Sequence, residues 1–457
     1  MSEQKFDWPL AYDAEILLRD RMTRFLERNA FARQLARRIR EETGTDFFEW
    51  MDHLVLPASE ERALGAVGFE RDANAPTPSG IVCYEHPRAT LPRILLTKQS
   101  KPLTVAIKPE FVADFSERHN LSTPIEGEPR SRYRRLLVAE ENGTRLEAVE
   151  RRAYLGFFSA PLKAGETEAI ASVEELWRSR RRDSNNESDG FAHANELLDQ
   201  AIEGVGRDVA CHLFFEAERA YWQSRNRAGQ IQKQRQDALG LGWGNHDHHT
   251  FRCSRGHFAA LINFLMQLGF EKRERFYAGA EAGWGAQISE HRATGVVVFA
   301  DVDLMPDETQ IDFSSKPLPP ASRLGTVGLW CALHGESFLE AGMHHLEARF
   351  EFPMLRDQLR DEGIATMKPF SDFEFLRQAF TEAERWPVRR ERLEKLLAAR
   401  LITPDQANQF LAQGALGSHL ENLQRHGGFK GFNQKSVSAI ISAVDPRKHL
   451  VPAEANA

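Results

Sequence analysis

Cysteine is scarce in this 457-residue chain: Cys83, Cys211, Cys253 and Cys331, all far apart in sequence. With no Cys-x-x-Cys pair, a thiolate zinc site or a disulfide framework is not expected, and a reducing compartment suits the composition. No apolar run approaches the length of a membrane span. The N-terminal stretch MSEQKFDWPLAYDAEILLRDRM carries acids and no apolar core segment, unlike a signal peptide. A surplus of positive charge is also missing. The formal net charge is -7 and the isoelectric point about 6.2, which argues against nucleic acid or an anionic membrane as partner. The basic run RSRRRDSNNESDG (Arg178 to Gly190) is short and mixed and reads as an exposed linker. A cytoplasmic protein without a membrane partner is the expectation.

What is present is an ordinary globular composition, 42% hydrophobic and 27% charged, on a chain long enough for two or three domains. Within it lies a repeat. RFLERNAFARQLARRIREETGTDFFEWMDHLVLP (Arg24 to Pro57) and RAYWQSRNRAGQIQKQRQDALGLGWGNHDHHTFRC (Arg219 to Cys253) share a plan. Each has an amphipathic helix with Arg-Asn, a glycine-containing break, and Asp-His opening a strand. Asp52-His53 thus corresponds to Asp247-His248. ERALGAVGFERD (Glu61 to Asp72) then matches INFLMQLGFEKR (Ile262 to Arg273), both reading as helices closed by glycine. YEHPRATLPRILL (Tyr84 to Leu96) matches SEHRATGVVVFADV (Ser289 to Val302), Glu-His before a strand. Three matches in one order argue for duplication.

The expected fold class is α+β: tandem βαβββ modules forming a partly closed mixed sheet, with a helical C-terminal region. The expected boundaries are 1–165 for a helix plus the first module and 166–240 for a helical connector. Residues 241–322 make the second module, and 323–457 a mostly helical region completing or covering the site. In that last region Thr403-Pro404 reads as an N-cap followed by proline at the first helical position.

Alternation along the strand opening at Asp247 puts His248, Thr250 and Arg252 on one face, and His249, Phe251 and Cys253 on the other. His248 and Arg252 stand about 13 Å apart at the backbone, within the lean of a guanidinium. A histidine and an arginine on one face suit an anionic substrate held against a metal ion. His246 and His249 read as supporting or surface residues. If the units pair their sheets, His53 joins His248, and a carboxylate would complete a two-histidine, one-carboxylate set with open positions for substrate and oxygen. Glu147, in TRLEAVERRAYLGF, is the first candidate, and spacing alone does not separate it from Glu150. Glu85, His86, Glu290 and His291 recur in both units and read as structural turns.

Paired βαβββ modules with histidines on first strands look like the vicinal oxygen chelate superfamily. More narrowly, DHHTFR resembles the histidine-arginine strand of the 2-oxoadipate dioxygenase/decarboxylase (hydroxyglutarate synthase) family. The resemblance implies His248 as a metal ligand and Arg252 as the substrate-binding, catalytic arginine. DHL (Asp52 to Leu54) implies His53 as the second histidine, and LEAVERR (Leu146 to Arg152) implies Glu147 as the carboxylate. LPRILLTKQSKPL (Leu91 to Leu103) is similar to a family strand and implies Gln99 and Lys101 as pocket residues. Two segments rival these. FTEAERWPV (Phe380 to Val388) offers Glu382 as the carboxylate, and MHHLEARFEF (Met343 to Phe352) offers His344 or His345 as the histidine. In the family the histidine-arginine module comes first; here it comes second.

The implied activity is an Fe(II)-dependent, non-haem dioxygenase/decarboxylase. A 2-oxo dicarboxylic acid resembling 2-oxoadipate, together with O2, would yield a 2-hydroxy acid and CO2. The ligand types also suit Mn, Co or Zn. The alternatives are another metal-dependent enzyme of the superfamily (lyase, isomerase or extradiol-type dioxygenase) and a metal-free binding protein.

Overall fold

The computed structural model describes residues 8–99, 101–184, 186–278, 283–308, 311–433 and 437–450. Met1 to Asp7 of the N-terminal stretch and Asn185 of the basic run lie outside them.

The architecture is α+β, built on two large mixed sheets of seven and eight strands. The first sheet opens with a βαβββ module: β1 (Met51–Pro57), the helix Glu61–Ala66, β2 (Glu70–Arg71), β3 (Ile81–Glu85) and β4 (Arg93–Thr97). β1 lies parallel to β4, and β3 and β2 continue outward as antiparallel neighbours. A shorter module follows: β5 (Leu103–Ile107), the helix Val112–Arg118, β6 (Tyr133–Glu141) and β7 (Thr144–Arg151). β5 is again parallel to the last strand of its module, β7. The two modules join where β1 runs antiparallel to β5.

The second sheet repeats this plan. β8 (His246–Arg252), the helix Phe258–Gln267, β9 (Glu271–Tyr277), β10 (Trp284–His291) and β11 (Val296–Asp303) form one βαβββ module, with β8 parallel to β11. The helix buries Phe258, Leu261, Ile262 and Leu265, the spacing of a single core-facing stripe. Another module follows: β12 (His345–Arg349), the helix Phe352–Asp361, β13 (Ser371–Phe373) and β14 (Leu376–Phe380). Its last strand comes after an inserted unit of β15 (Arg385–Trp386), the helices Arg390–Ala398 and Pro404–Gln413, and β16 (Ala415–Leu416). That last strand is β17 (His419–Arg425), parallel to β12. The modules join at the antiparallel pair β8 and β12.

The helices expected after Ser322 are present, among them Pro404–Gln413 with Thr403 and Gln406 forming a capping box. Between them run β12, β13, β14 and β17, which complete the second sheet. These strands escape sequence reading because their polar residues are buried too. β12 (HLEAR) and β17 (HLENLQR) are covered along most of both faces, so no polar-out alternation marks them.

The connector helices Glu166–Arg178, Glu187–Val205 and Arg207–Ser224 pack behind the second sheet. There Trp177, Phe214 and Phe215 join Phe251 and Phe264 in one core. The first sheet has its own core of Leu54, Val105 and Ile107 against Leu18, Phe25 and Leu35. Where the halves meet, Gly244 passes against the Lys108 carbonyl so closely that a Cβ would clash with it. No described helix is long and apolar enough to cross a membrane.

Candidate metal centre

His248 lies on β8 as expected, buried, with the Phe299 ring 4.3 Å from its own. Two residues of the last module converge on it. His345 opens β12 and Glu421 sits on β17, two positions beyond His419, the register partner of His345. Nε2 of His345 is 3.0 Å from Oε2 of Glu421, and Nε2 of His248 is 3.7 Å from the same oxygen. Two ligands of one ion, each about 2.1 Å from it, stand roughly 3 to 3.5 Å apart. Two buried histidines and one buried carboxylate at this spacing can hold a divalent metal ion.

Around this set lies a supporting shell. Nδ1 of His248 is 2.6 Å from Oε1 of Glu347, off the line of a hydrogen bond, and 3.5 Å from Oδ1 of Asp247. Gln378 donates to both Glu347 (2.9 Å) and Glu421 (3.0 Å). Arg425 donates to Asp247 (3.0 Å) and Glu347 (3.3 Å), and Arg349 to Asp247 (2.8 Å). Nδ1 of His345 lies 3.0 Å from Nδ1 of His344, which turns Nε2 inward. A carboxylate behind a ligating histidine fixes its tautomer and raises its basicity.

The titration tendencies follow from burial and these neighbours. Burial works to depress His248, but Glu347 and Asp247 outweigh it and hold the imidazole above its ordinary value. Burial, then His248, pushes His345 well below. Burial, reinforced by Glu347, pushes Glu421 well above the carboxylate range. A cation between these ligands would relieve each penalty.

Arg252 is completely buried on the His248 side of β8, and among the described residues its Nε, Nη1 and Nη2 have no hydrogen-bond partner. Burial lowers it to about 10, Asp301 opposing. Asp301 is its register partner on β11, itself raised by burial to about 7. The Trp330 ring centroid stands 5.7 Å from the guanidinium carbon. A buried guanidinium without partners is costly unless an anion meets it.

The other expected residues lie elsewhere. His53 is on β1 of the first sheet, its Nδ1 2.7 Å from Asp52 and its ring 5.0 Å from Phe157. Glu147 is on β7, between Arg135 and Arg145 at 3.7 Å each. Neither is among the residues gathered at His248, because each pair of modules closes its own sheet instead of sharing one. They nonetheless occupy matching places. Ala106 pairs with both His53 and Glu147 in register, as Glu347 pairs with Glu421. Where the second sheet has His345 and Glu347, the first has Thr104 and Ala106, and so lacks a second histidine. Glu150 binds Arg134 and Arg152. Gln99 and Lys101 are exposed in the turn between β4 and β5, and Glu382 is exposed beyond β14. His246 and His249 sit together, ring centroids 5.3 Å apart, with His249 against Phe215 of the connector. Glu85 and His86 close β3 as Glu290 and His291 close β10. The His291 turn is tied by Thr294 N–H donating to its Nδ1 at 3.2 Å.

Glu421 has a signal that sequence reading passed over. HLE occurs twice, at His345 to Glu347 and at His419 to Glu421, and the two copies lie side by side in register.

No family model matches the chain, and no curated protein matches it. Solved structures resemble it weakly. A mutant of 4-hydroxymandelate synthase from Streptomyces coelicolor is 13% identical, over 88% of this chain and 98% of that one, with a TM-score of 0.29. Methylmalonyl-CoA epimerase from Mycobacterium tuberculosis is 11% identical, over 40% of this chain and 88% of that one, at 0.23. The uncharacterized protein YdcJ from Shigella flexneri is 13% identical, over 58% and 74%, at 0.25.

Proposed function

We propose that the chain is a metal-dependent enzyme of the vicinal oxygen chelate type, with His248, His345 and Glu421 as ligands. We further propose that it is an Fe(II) dioxygenase/decarboxylase of a 2-oxo dicarboxylic acid resembling 2-oxoadipate. The convergence of two histidines and a carboxylate on one buried point carries the reading. The ligand types alone would suit several metals; the acid-binding arginine on the same strand narrows the substrate.

The bound metal would supply a chelation point for the 2-oxo acid and the electrons for oxygen chemistry. The protein's residues do the rest. Arg252, with three guanidinium nitrogens unpartnered among the described residues, takes the far carboxylate and sets the substrate along β8. Its backbone distance from His248, about 13 Å by strand rise, leaves room for a short dicarboxylate between guanidinium and metal. Phe299 and Phe380 flank His248 and His345 and keep water from the ligands. Glu347 orients His248. The overall change balances: 2-oxoadipate and O2 give 2-hydroxyglutarate and CO2, with one oxygen atom in the new carboxylate and one in the hydroxyl.

The test is anaerobic loading of the purified chain with Fe(II), then oxygen uptake on adding 2-oxoadipate, with products read by mass spectrometry. Equal consumption of O2 and release of CO2 is expected. Metal binding without oxygen uptake on any 2-oxo acid overturns the oxygenase reading in favour of a lyase or isomerase. Absence of stoichiometric metal binding overturns the enzyme reading altogether.

A further inference from the structure

A cavity of about 310 Å³ opens between the two halves, away from the interior face that carries Arg252. From the first half Asp52, Arg93 and Lys108 line it. From the second come His246, Arg349 and Arg425. Both β1 and β8 begin at its wall, so it sits on the seam of the duplication.

The charges around it do not balance. Each acid on the wall is already engaged. Asp52 is gripped by Arg151 at 2.7 Å. Glu15 binds Arg19 at 2.6 Å. Glu49 stands 3.7 Å from Arg349, and burial lifts it to about 7. Arg349 and Arg425 in turn share Asp247. Two cations remain without an acid. Arg93 donates to the Leu155 carbonyl at 2.6 Å and lies over the Phe157 ring, but forms no ion pair among the described residues. The Lys108 backbone N–H donates to the Trp50 carbonyl at 2.8 Å, but its ammonium makes neither an ion pair nor a hydrogen bond among them. His246 adds an Nδ1 that is buried and, among the described residues, unpartnered. Burial depresses Lys108 to about 8, and burial together with Arg151 lowers Arg93. Asp52 opposes both shifts, but burial outweighs it at each cation.

We propose that this cavity is a second ligand site, binding a small doubly charged oxyanion, a phosphate or a dicarboxylate, between Arg93 and Lys108. The guanidinium fork meets two oxygens in its plane, and the ammonium a third as a point charge. The ligand touches both halves, so it ties the duplicated units across their seam. The site shares Arg349 and Arg425 with the shell behind the metal ligands but none of the ligands themselves, and it does not rest on the activity proposed for them.

Isothermal titration of the full-length protein with inorganic phosphate, and separately with glutarate, tests this at 0.15 M sodium chloride (roughly physiological ionic strength). Saturable binding of one equivalent of at least one probe is expected, with a rise in melting temperature. Phosphate alone, or glutarate alone, identifies the source of the oxygens. Lys108→Met and Arg93→Met should each weaken binding about tenfold or more, while Lys108→Arg keeps it. Glu421→Gln should bind as the parent does. The proposal is overturned if neither probe saturates, or if both methionine variants bind like the parent. It also fails if Glu421→Gln abolishes binding, which would place the anion at the metal centre.

Discussion

Arg151 grips Asp52 with two nitrogens, Nε on Oδ1 at 2.7 Å and Nη2 on Oδ2 at 2.8 Å. In the second sheet Arg425 reaches Asp247 with one nitrogen, Nη2 on Oδ1 at 3.0 Å. Each aspartate precedes the first-strand histidine of its half, His53 or His248. Each arginine follows by four residues the glutamate on the last strand, Glu147 or Glu421. The duplication therefore extends to the frame around the site. What differs is the content: Arg425 also touches Glu347, and the first half has Ala106 there.

The two halves make internal controls for metal binding. His248→Ala, His345→Ala and Glu421→Gln should each lower affinity for Fe(II) or Mn(II) at least a hundredfold, about 2.7 kcal/mol or more. His53→Ala and Glu147→Gln should leave it within a factor of about three. Equilibrium dialysis with metal analysis measures both sets. Equal losses from the two sheets would show that the ligands had been wrongly placed.

Glu347 acts through His248 and not on a substrate. Glu347→Gln keeps the volume and the contact with Gln378 but removes the charge beside Nδ1. Metal affinity should fall roughly 10- to 100-fold. The imidazole should also titrate lower, since Glu347 is the largest influence holding it up against burial. NMR of the His248 ring in the metal-free protein reads this directly; an unmoved titration would remove Glu347 from the role.

Much of this frame was legible in the sequence. The repeated Asp-His at Asp52 and Asp247 marks two first strands, and alternation from His248 selects Arg252 and turns His249 towards the connector. What stayed hidden was the pairing. Sequence similarity related the first half to the second, yet each half is already a pair of modules, so His248 finds its partners on β12 and β17 and not on β1. Those strands are concealed by burial on both faces and by the insertion of two helices between β14 and β17. His345 was visible only as a rival to His53, and Glu421 only through the second HLE.

Asp52 should govern part of the acid stability. Burial works to raise its carboxyl, but Arg151 and His53 overcome this and hold it well below the usual range. A depressed carboxylate stabilises the fold above its unfolded value of about 3.9 and loses that contribution as pH falls through the lower folded value. Asp52→Asn should therefore be less stable than the parent at pH 7, by about 3 to 5 kcal/mol for a broken buried pair. The difference should shrink below about pH 4. Urea denaturation from pH 7 to pH 3 tests this, and a gap that stays constant with pH would assign the loss to packing.

Arg252 separates stability from function. Its guanidinium is fully buried and no guanidinium nitrogen has a hydrogen-bond partner among the described residues, so the ligand-free fold carries a buried charge that Asp301 opposes only without a hydrogen bond. Arg252→Met fills the same space without that charge. It should leave the ligand-free protein as stable as the parent or more so, by up to about 1 to 4 kcal/mol. Metal affinity should not change, because Arg252 touches none of the ligands. Activity on a 2-oxo dicarboxylic acid should fall a hundredfold or more, about 2.7 kcal/mol, through loss of the only partner expected for the far carboxylate. Thermal denaturation and steady-state oxygen uptake distinguish the outcomes. A variant that unfolds at room temperature would show that the arginine is held by something other than the substrate, and one that keeps full activity would remove it from the binding site.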